Sequence, residues 1–425
     1  MRIAPLAGLA ILTAQTAAAE LSDNHELTVA LDWSLTDASS ALGAWTDGRF
    51  GKLRYDSNGS TAETTRLALE YKGQIAPALF AHAVLDYVDD AIVKAGLTEA
   101  YLEWRPLPSG SNRHRYRFGA FYPAFSLENS GLAWESPYSR SFSAVNAWLG
   151  EEIRPVGAEW QLGRPIGPEG SPHELGASVG FFYGNDPAGT LLFWRGWSVH
   201  DRQTRLNERL PLAPLTLSGP AGPFTVERKL DPIAEIDDRP GFYAGGEWSY
   251  ARKARLSLAF YDNRADPNAF RDGQWAWGTR FWHLGAQVLL PGDVGLVVQR
   301  MRGDTDWLIF VTSQGTTTPM TALATDEFDA SFVLLSKVFG GRHRLSLRRD
   351  DFDLWRPGQL EVDHGDAATV AYGYTINPKL ELRLEWLEID STRDIWPMFY
   401  GQTTRRQKES LAQIGFRLVL FDSTE

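Results

Sequence analysis

Charged residues in this chain recur at every second position, separated by apolar ones. Glu99, Glu103 and Arg105 alternate with Ala100, Leu102 and Trp104. Arg115 and Arg117 flank Tyr116, and Arg344, Ser346 and Arg348 alternate with Leu345 and Leu347. Glu381, Arg383 and Glu385 alternate with Leu382, Leu384 and Trp386, and Gln413 and Arg417 are spaced around Ile414 and Phe416. In a β-strand successive side chains point to opposite faces. Each run therefore puts charge on one face and hydrocarbon on the other. Charge is costly against lipid and cheap in a water-filled lumen. The chemistry implied is electrostatic: a charged wall that selects ions. The alternative is a solvated wall whose opposite charges pair and select little.

Other patterns carry less. Gly176-Ala177-Ser178-Val179-Gly180 has the spacing of a nucleophile elbow, but that motif needs a strand-to-helix turn, and here it falls inside a strand pattern. The eight histidines are scattered, and no pair has helical metal-site spacing. Asn58-Gly59-Ser60 reads as a loop turn. Acidic clusters at Asp350-Asp351-Phe352-Asp353 and Asp237-Asp238 fall in expected outer loops, where they could bind Ca²⁺ or bridge lipopolysaccharide; an ordinary solvated loop is the simpler account. No cofactor is implied.

The elements that must hold these charges are strands. Sixteen segments of about ten residues with period-two alternation can be argued. Among the clearest are those around Leu27–Leu35, Thr98–Trp104, Leu175–Tyr183, Phe242–Tyr250, Phe328–Leu334, Leu380–Trp386 and Ile414–Leu420. Their connections alternate in length. Long ones lie near 36–63, 123–152, 185–240, 263–277, 303–325, 351–364 and 390–410, with a shorter member near 89–96. Short ones, rich in Gly, Pro and Asn, include Pro291-Gly292-Asp293, Gly340-Gly341 and Asn377-Pro378. Sixteen strands that start and end on one side need eight loops and seven turns, as counted here. The predicted fold is thus all-β: a transmembrane, antiparallel up-and-down barrel with short periplasmic turns and long extracellular loops. A soluble sandwich or propeller would not sort its loops onto alternate connections, and no long repeat is visible.

Composition agrees. The chain has 425 residues, no cysteine, a formal charge of −11, 43% hydrophobic residues and 16 Trp. The negative charge argues against a nucleic-acid partner. No apolar run after the N-terminus is long enough for a membrane helix. Abundant aromatics suit the girdles of a barrel. Met1-Arg2, an apolar stretch to about Thr16 and Ala17-Ala18-Ala19 read as a cleaved signal peptide over 1–19, leaving 20–425 as the barrel. The last strand ends at the aromatic Phe421, like the strand read by the barrel-assembly machinery of Gram-negative bacteria, with four residues beyond it.

One long connection is distinctive. Gly119, Phe121, Pro123, Phe125, Ser126, Leu127, Glu128, Ser139-Arg140-Ser141 and Gly157 resemble the phosphate-selective porin family over about residues 116–160. That resemblance implies an outer-membrane porin, a homotrimer, and a third outer loop folded into the lumen as a constriction over about 123–152. Glu128, Glu135 and Arg140 are its candidate constriction residues. Phe125, Leu127, Leu132, Trp134, Phe142 and Trp148 are too apolar for a freely solvated loop and call for a packing partner. Acidic Glu128, Glu135, Glu151 and Glu152 depart from what phosphate selection needs. The sequence expectation is passive diffusion of small hydrophilic solutes or ions, with anions preferred if the arginines gather at the narrow zone. Outer-membrane lipid and lipopolysaccharide are the expected surroundings. One rival is an outer-membrane lipase or protease, which needs a Ser/His or Asp/His set at the outer rim. The other is an adhesin or structural barrel, favoured if the loop at 185–240 plugs the lumen.

Overall fold

The structure is a computed structural model, and it describes residues 24–56, 62–89, 93–213, 229–311, 320–358, 360–394 and 405–423. The expected signal peptide and Asn58-Gly59-Ser60 lie outside them. Sixteen strands form one closed antiparallel barrel in chain order. They are β1 (His25–Ser39), β2 (Ala62–Ala76), β3 (Leu79–Val88), β4 (Ala95–Trp104), β5 (Arg113–Ala120), β6 (Val156–Ile166), β7 (His173–Tyr183) and β8 (Gly241–Tyr250). There follow β9 (Ala254–Asp262), β10 (Gly278–Leu290), β11 (Val294–Val311), β12 (Met320–Phe339), β13 (His343–Arg356), β14 (Leu360–Asn377), β15 (Leu380–Thr392) and β16 (Arg406–Asp422). β1 pairs with β16, so no edge is left open.

Alternation sets the two faces. Leu102, Trp104, Phe118, Leu175, Phe181, Trp282, Leu284, Leu347, Leu384, Trp386, Ile414 and Phe416 are exposed on the outer surface. Their neighbours Glu103, Arg117, His283, Ser346, Arg348, Glu385 and Gln413 are buried on the inner one. Such an apolar exterior is the surface a transmembrane barrel presents to lipid. The short turns and the two ends of the barrel share a rim: Thr28 lies opposite Asp422, and the Leu27 amide donates to Ser423 Oγ at 2.7 Å. Asp293 and Gly340 adopt positive φ (58° and 55°) in two of these turns, the backbone that two- and three-residue hairpins demand.

Two expected loops are strand instead. β11 runs to Val311 and β12 begins at Met320, and only 357–359 separate β13 from β14. The acidic run Asp350–Asp353 therefore belongs to β13 and not to a loop. The reason is visible in the pattern. Alternation continues past the apolar band, but the outward residues become charged: Arg300, Arg302 and Asp304 on β11, and Arg349, Asp351 and Asp353 on β13. Ion pairs run across this outer belt, Arg300–Asp329 at 2.6 Å, Arg349–Asp366 at 2.7 Å and Arg406–Asp390 at 2.6 Å.

Candidate functional site

The connection from β5 to β6 is built from its entry glycines upward. Gly119 and Gly157 face each other across β5 and β6. A Cβ on Gly119 would sit 2.3 Å from the Ala100 carbonyl oxygen, and one on Gly157 2.0 Å from that of Phe181. Only glycine lets the backbone approach this closely. Beyond them, helix α1 (Ala144–Glu152) starts at Ser143, whose side chain accepts from the Asn146 amide at 3.2 Å. Every residue of α1 is buried.

Inward side chains of the wall hold this segment. Glu99 on β4 accepts from the Tyr122 amide at 3.0 Å, and Glu70 on β2 from that of Ala133 at 3.2 Å. Gln299 on β11 accepts from Leu127 N and donates to Phe125 O, both at 3.0 Å. Glu385 on β15 takes the amides of Arg140 and Ser141 at 2.6 and 3.1 Å. On β13, Arg348 reaches Glu128 at 2.7 Å and Asp350 at 2.9 Å, and donates to the carbonyls of Ser141 and Phe142. Asp350 in turn accepts from Ala144 N at 3.0 Å, at the start of α1. The segment thus contacts the inner faces of β2, β4, β11, β13 and β15. Beside α1 lies an aromatic core: Phe125 meets Tyr243 and Phe281 edge-on, and Trp148 meets Phe328 and Trp197. Phe125, Phe142 and Trp148 are buried, and Leu127 is buried against Val297, Phe332 and Leu334.

The connection after β7 enters too, through a short helix α2 (Thr190–Arg195) and Trp197. Lys52, from the β1–β2 connection, lies 2.7 Å from Asp363 on β14, and both side chains are fully buried. The amide of Trp197 donates to the same carboxylate at 2.9 Å.

A narrow charged cleft lies between the 123–152 segment and the wall of β1–β3 and β15–β16. Arg54, Arg66, Arg140, Arg202, Arg383 and Arg417 line it, against Asp32, Asp86, Glu135 and Asp201. Arg417 forks onto Asp32 with two bonds of 2.8 Å and also contacts Glu135. Glu135 also contacts Arg66, which pairs with Asp86. Arg54 and Arg140 flank Asp201 at 2.8 and 3.8 Å. Burial alone would lift the Asp201 carboxyl, but those two guanidiniums outweigh it and hold it below the usual carboxylate range. The cleft holds about 30 Å³, room for no more than a couple of ordered waters. A vestibule of about 690 Å³ lies elsewhere in the barrel, lined by Arg105, Arg113, Arg115, Arg117 and His283 among others.

The sequence-derived charges thus fall into four groups. Glu135, Arg140, Arg383 and Arg417 line the cleft. Arg105, Arg115 and Arg117 line the vestibule, where Glu103 pairs with Arg105 and Arg117 with Glu159 at 2.6 Å. Arg344 and Glu381 border a third cavity with Arg383 and Arg417. Glu99, Glu128, Arg348 and Glu385 are buried as anchors of the segment. Asp32 and Arg66 escaped notice although both interleave with apolar strand residues, Leu31/Trp33 and Leu67. Arg54, Asp201 and Arg202 sit in connections, where no periodicity marks them.

A closed sixteen-strand antiparallel barrel with long connections on one rim defines the class: a porin-type transmembrane β-barrel fold. No protein-family model matches the chain, and no curated protein sequence matches it. Solved structures do. OmpT of Vibrio cholerae aligns with a TM-score of 0.51 at 8% identity, over 94% of this chain and 99% of that one. The anion-selective porin from Comamonas acidovorans gives 0.51 at 11%, over 93% and 99%. The outer membrane channel DcaP of Acinetobacter baumannii gives 0.50 at 11%, over 93% and 97%. At these identities the likeness is one of fold.

Proposed function

We propose that the chain is an outer-membrane porin of a Gram-negative bacterium: a passive diffusion channel for small hydrophilic solutes, with no covalent step and no cofactor. The observation that carries this reading is the lining of the cleft, six arginines against four carboxylates. In a narrow zone with low-dielectric walls the field of nearby charges dominates over the distant acidic total. The preferred solutes are therefore small anions. A permeating anion replaces the carboxylate partners of Arg66, Arg140, Arg383 and Arg417 in turn, exchanging one charge-assisted contact for the next. Glu135, at the tip of the 123–152 segment, is the carboxylate such an anion competes with first, and that segment is the constriction. The vestibule and its Arg105, Arg115 and Arg117 gather ions on the approach. The charged outer belt of β11–β16 lies just beyond the apolar band, at the level of lipopolysaccharide headgroups, and a homotrimer buries part of the apolar exterior elsewhere.

The tightness of the cleft favours a second reading, a structural or adhesive barrel whose lumen stays closed. Reconstitution of purified, refolded protein in planar bilayers separates the two. The porin reading expects stepwise single-channel currents, larger when Asn129–Ser139 is deleted. A folded barrel that inserts and passes no current, with or without the deletion, supports the closed barrel instead.

A further inference from the structure

Three carboxylates converge where the chain leaves β7 and where it returns to β8. One oxygen each of Asp186, Glu235 and Asp237 lies within 4.8 Å of the other two. Backbone bonds fix the arrangement. Asp186 N donates to Ala234 O at 3.2 Å, and Trp277 N donates to Asp186 O at 2.7 Å. The amides of Ile236 and Asp237 donate to Asp186 Oδ2 at 2.5 and 3.3 Å. Gly184 N donates to Glu235 Oε2, and Asp266 N to Asp237 Oδ2, both at 2.5 Å. Two connections on the long-loop rim, β7–β8 and β9–β10, are stitched together here.

One atom is left over. Asp186 Oδ1 is buried and has no hydrogen-bond partner among the described residues, in a side chain with no exposed surface. A buried carboxylate oxygen without a donor calls for an explanation. Of the cations nearby, Arg239 lies 2.8 Å from Asp266 and 3.8 Å from Asp237 at the edge of the group, and Arg271 pairs with Asp238. Glu235 and Asp237 stand beside it, so three carboxylates share one place.

We propose that Asp186, Glu235 and Asp237 bind a divalent cation of the Ca²⁺ type, which clamps the two ends of the β7–β8 connection together. The donors are all oxygen, with no histidine in the group, which selects a hard cation over zinc or copper. Two oxygens bound to one Ca²⁺ at about 2.4 Å can be at most about 4.8 Å apart, so the observed spacing needs little rearrangement. Irregular loop geometry suits Ca²⁺, which tolerates it, better than Mg²⁺, which demands an octahedron. The rival occupant of the same place is a proton held by Asp186.

Calorimetric titration of the full refolded chain, freed of lipopolysaccharide and held in a zwitterionic detergent, tests this with CaCl₂ alone. The readout is heat, so it does not depend on whether the barrel conducts. One saturable site is expected, with a dissociation constant in the range of about 0.1–1 mM typical of extracellular calcium modules. Asp237→Asn and Glu235→Gln, which keep side-chain shape, should each weaken it at least ten-fold, and MgCl₂ should bind less tightly. Absence of saturable heat in the wild type overturns the proposal and leaves the proton. Equal affinity in wild type and both variants also overturns it.

Discussion

Arg348 and Arg417 come from the same kind of sequence pattern yet do different work. Arg348 is sealed beneath the 123–152 segment between Glu128 and Asp350. Arg417 stands at the edge of the cleft with its side chain 12% exposed. Period two announces that both face inward, and it is silent on what will cover them. The same holds for Glu385, legible as inward and now spent on two backbone amides. Arg348→Ala leaves Glu128 and Asp350 buried without their cation, a loss of about 3–5 kcal/mol; urea unfolding in detergent micelles should report it. Glu135→Gln acts differently. It frees Arg66 and Arg417 of a shared carboxylate, so the KCl reversal potential should move further toward anion selectivity. Arg417→Ala should move it the other way.

At the scale of elements, sixteen strands and the alternation of their connections were readable because turn chemistry and apolar periodicity agree. Strand length was not. On β11 and β13 the outward residues pass from Val298 to Arg300 and from Leu347 to Arg349, and a reader following hydrophobicity stops where lipid stops, not where hydrogen bonding stops. The packing of the 123–152 segment was half legible: Phe125 and Trp148 demanded cover, but their partners Tyr243, Phe281 and Phe328 lie on strands far along the chain. A latch joins α1 to α2 through Glu151, which contacts Arg195 and lies 3.1 Å from His200. Burial would raise this carboxyl, but Arg195 and His200 outweigh it and hold it at about 2, against an ordinary 4.5. The folded pKa is depressed, so the stabilisation, about 3 kcal/mol, is fully present above pH 4.5 and is lost as pH falls through 2. Between those limits the wild type should lose stability relative to Glu151→Gln, as read by unfolding at stepped pH.

On the scale of the whole molecule, an acidic chain of net charge −11 encloses a cleft with more arginines than carboxylates. Many of the acids lie elsewhere, on the outer belt and in the connections, where salt screens them over about 10 Å at 0.1 M. Alternation sends one set of charges out and another in, each with both signs. The reversal potential across a planar bilayer under a KCl gradient weighs the inner set directly. The account predicts an anion-selective sign that weakens when Arg66 and Arg417 are both replaced by Ala. A cation-selective sign in the wild type, or an anion-selective one indifferent to those two arginines, would contradict it.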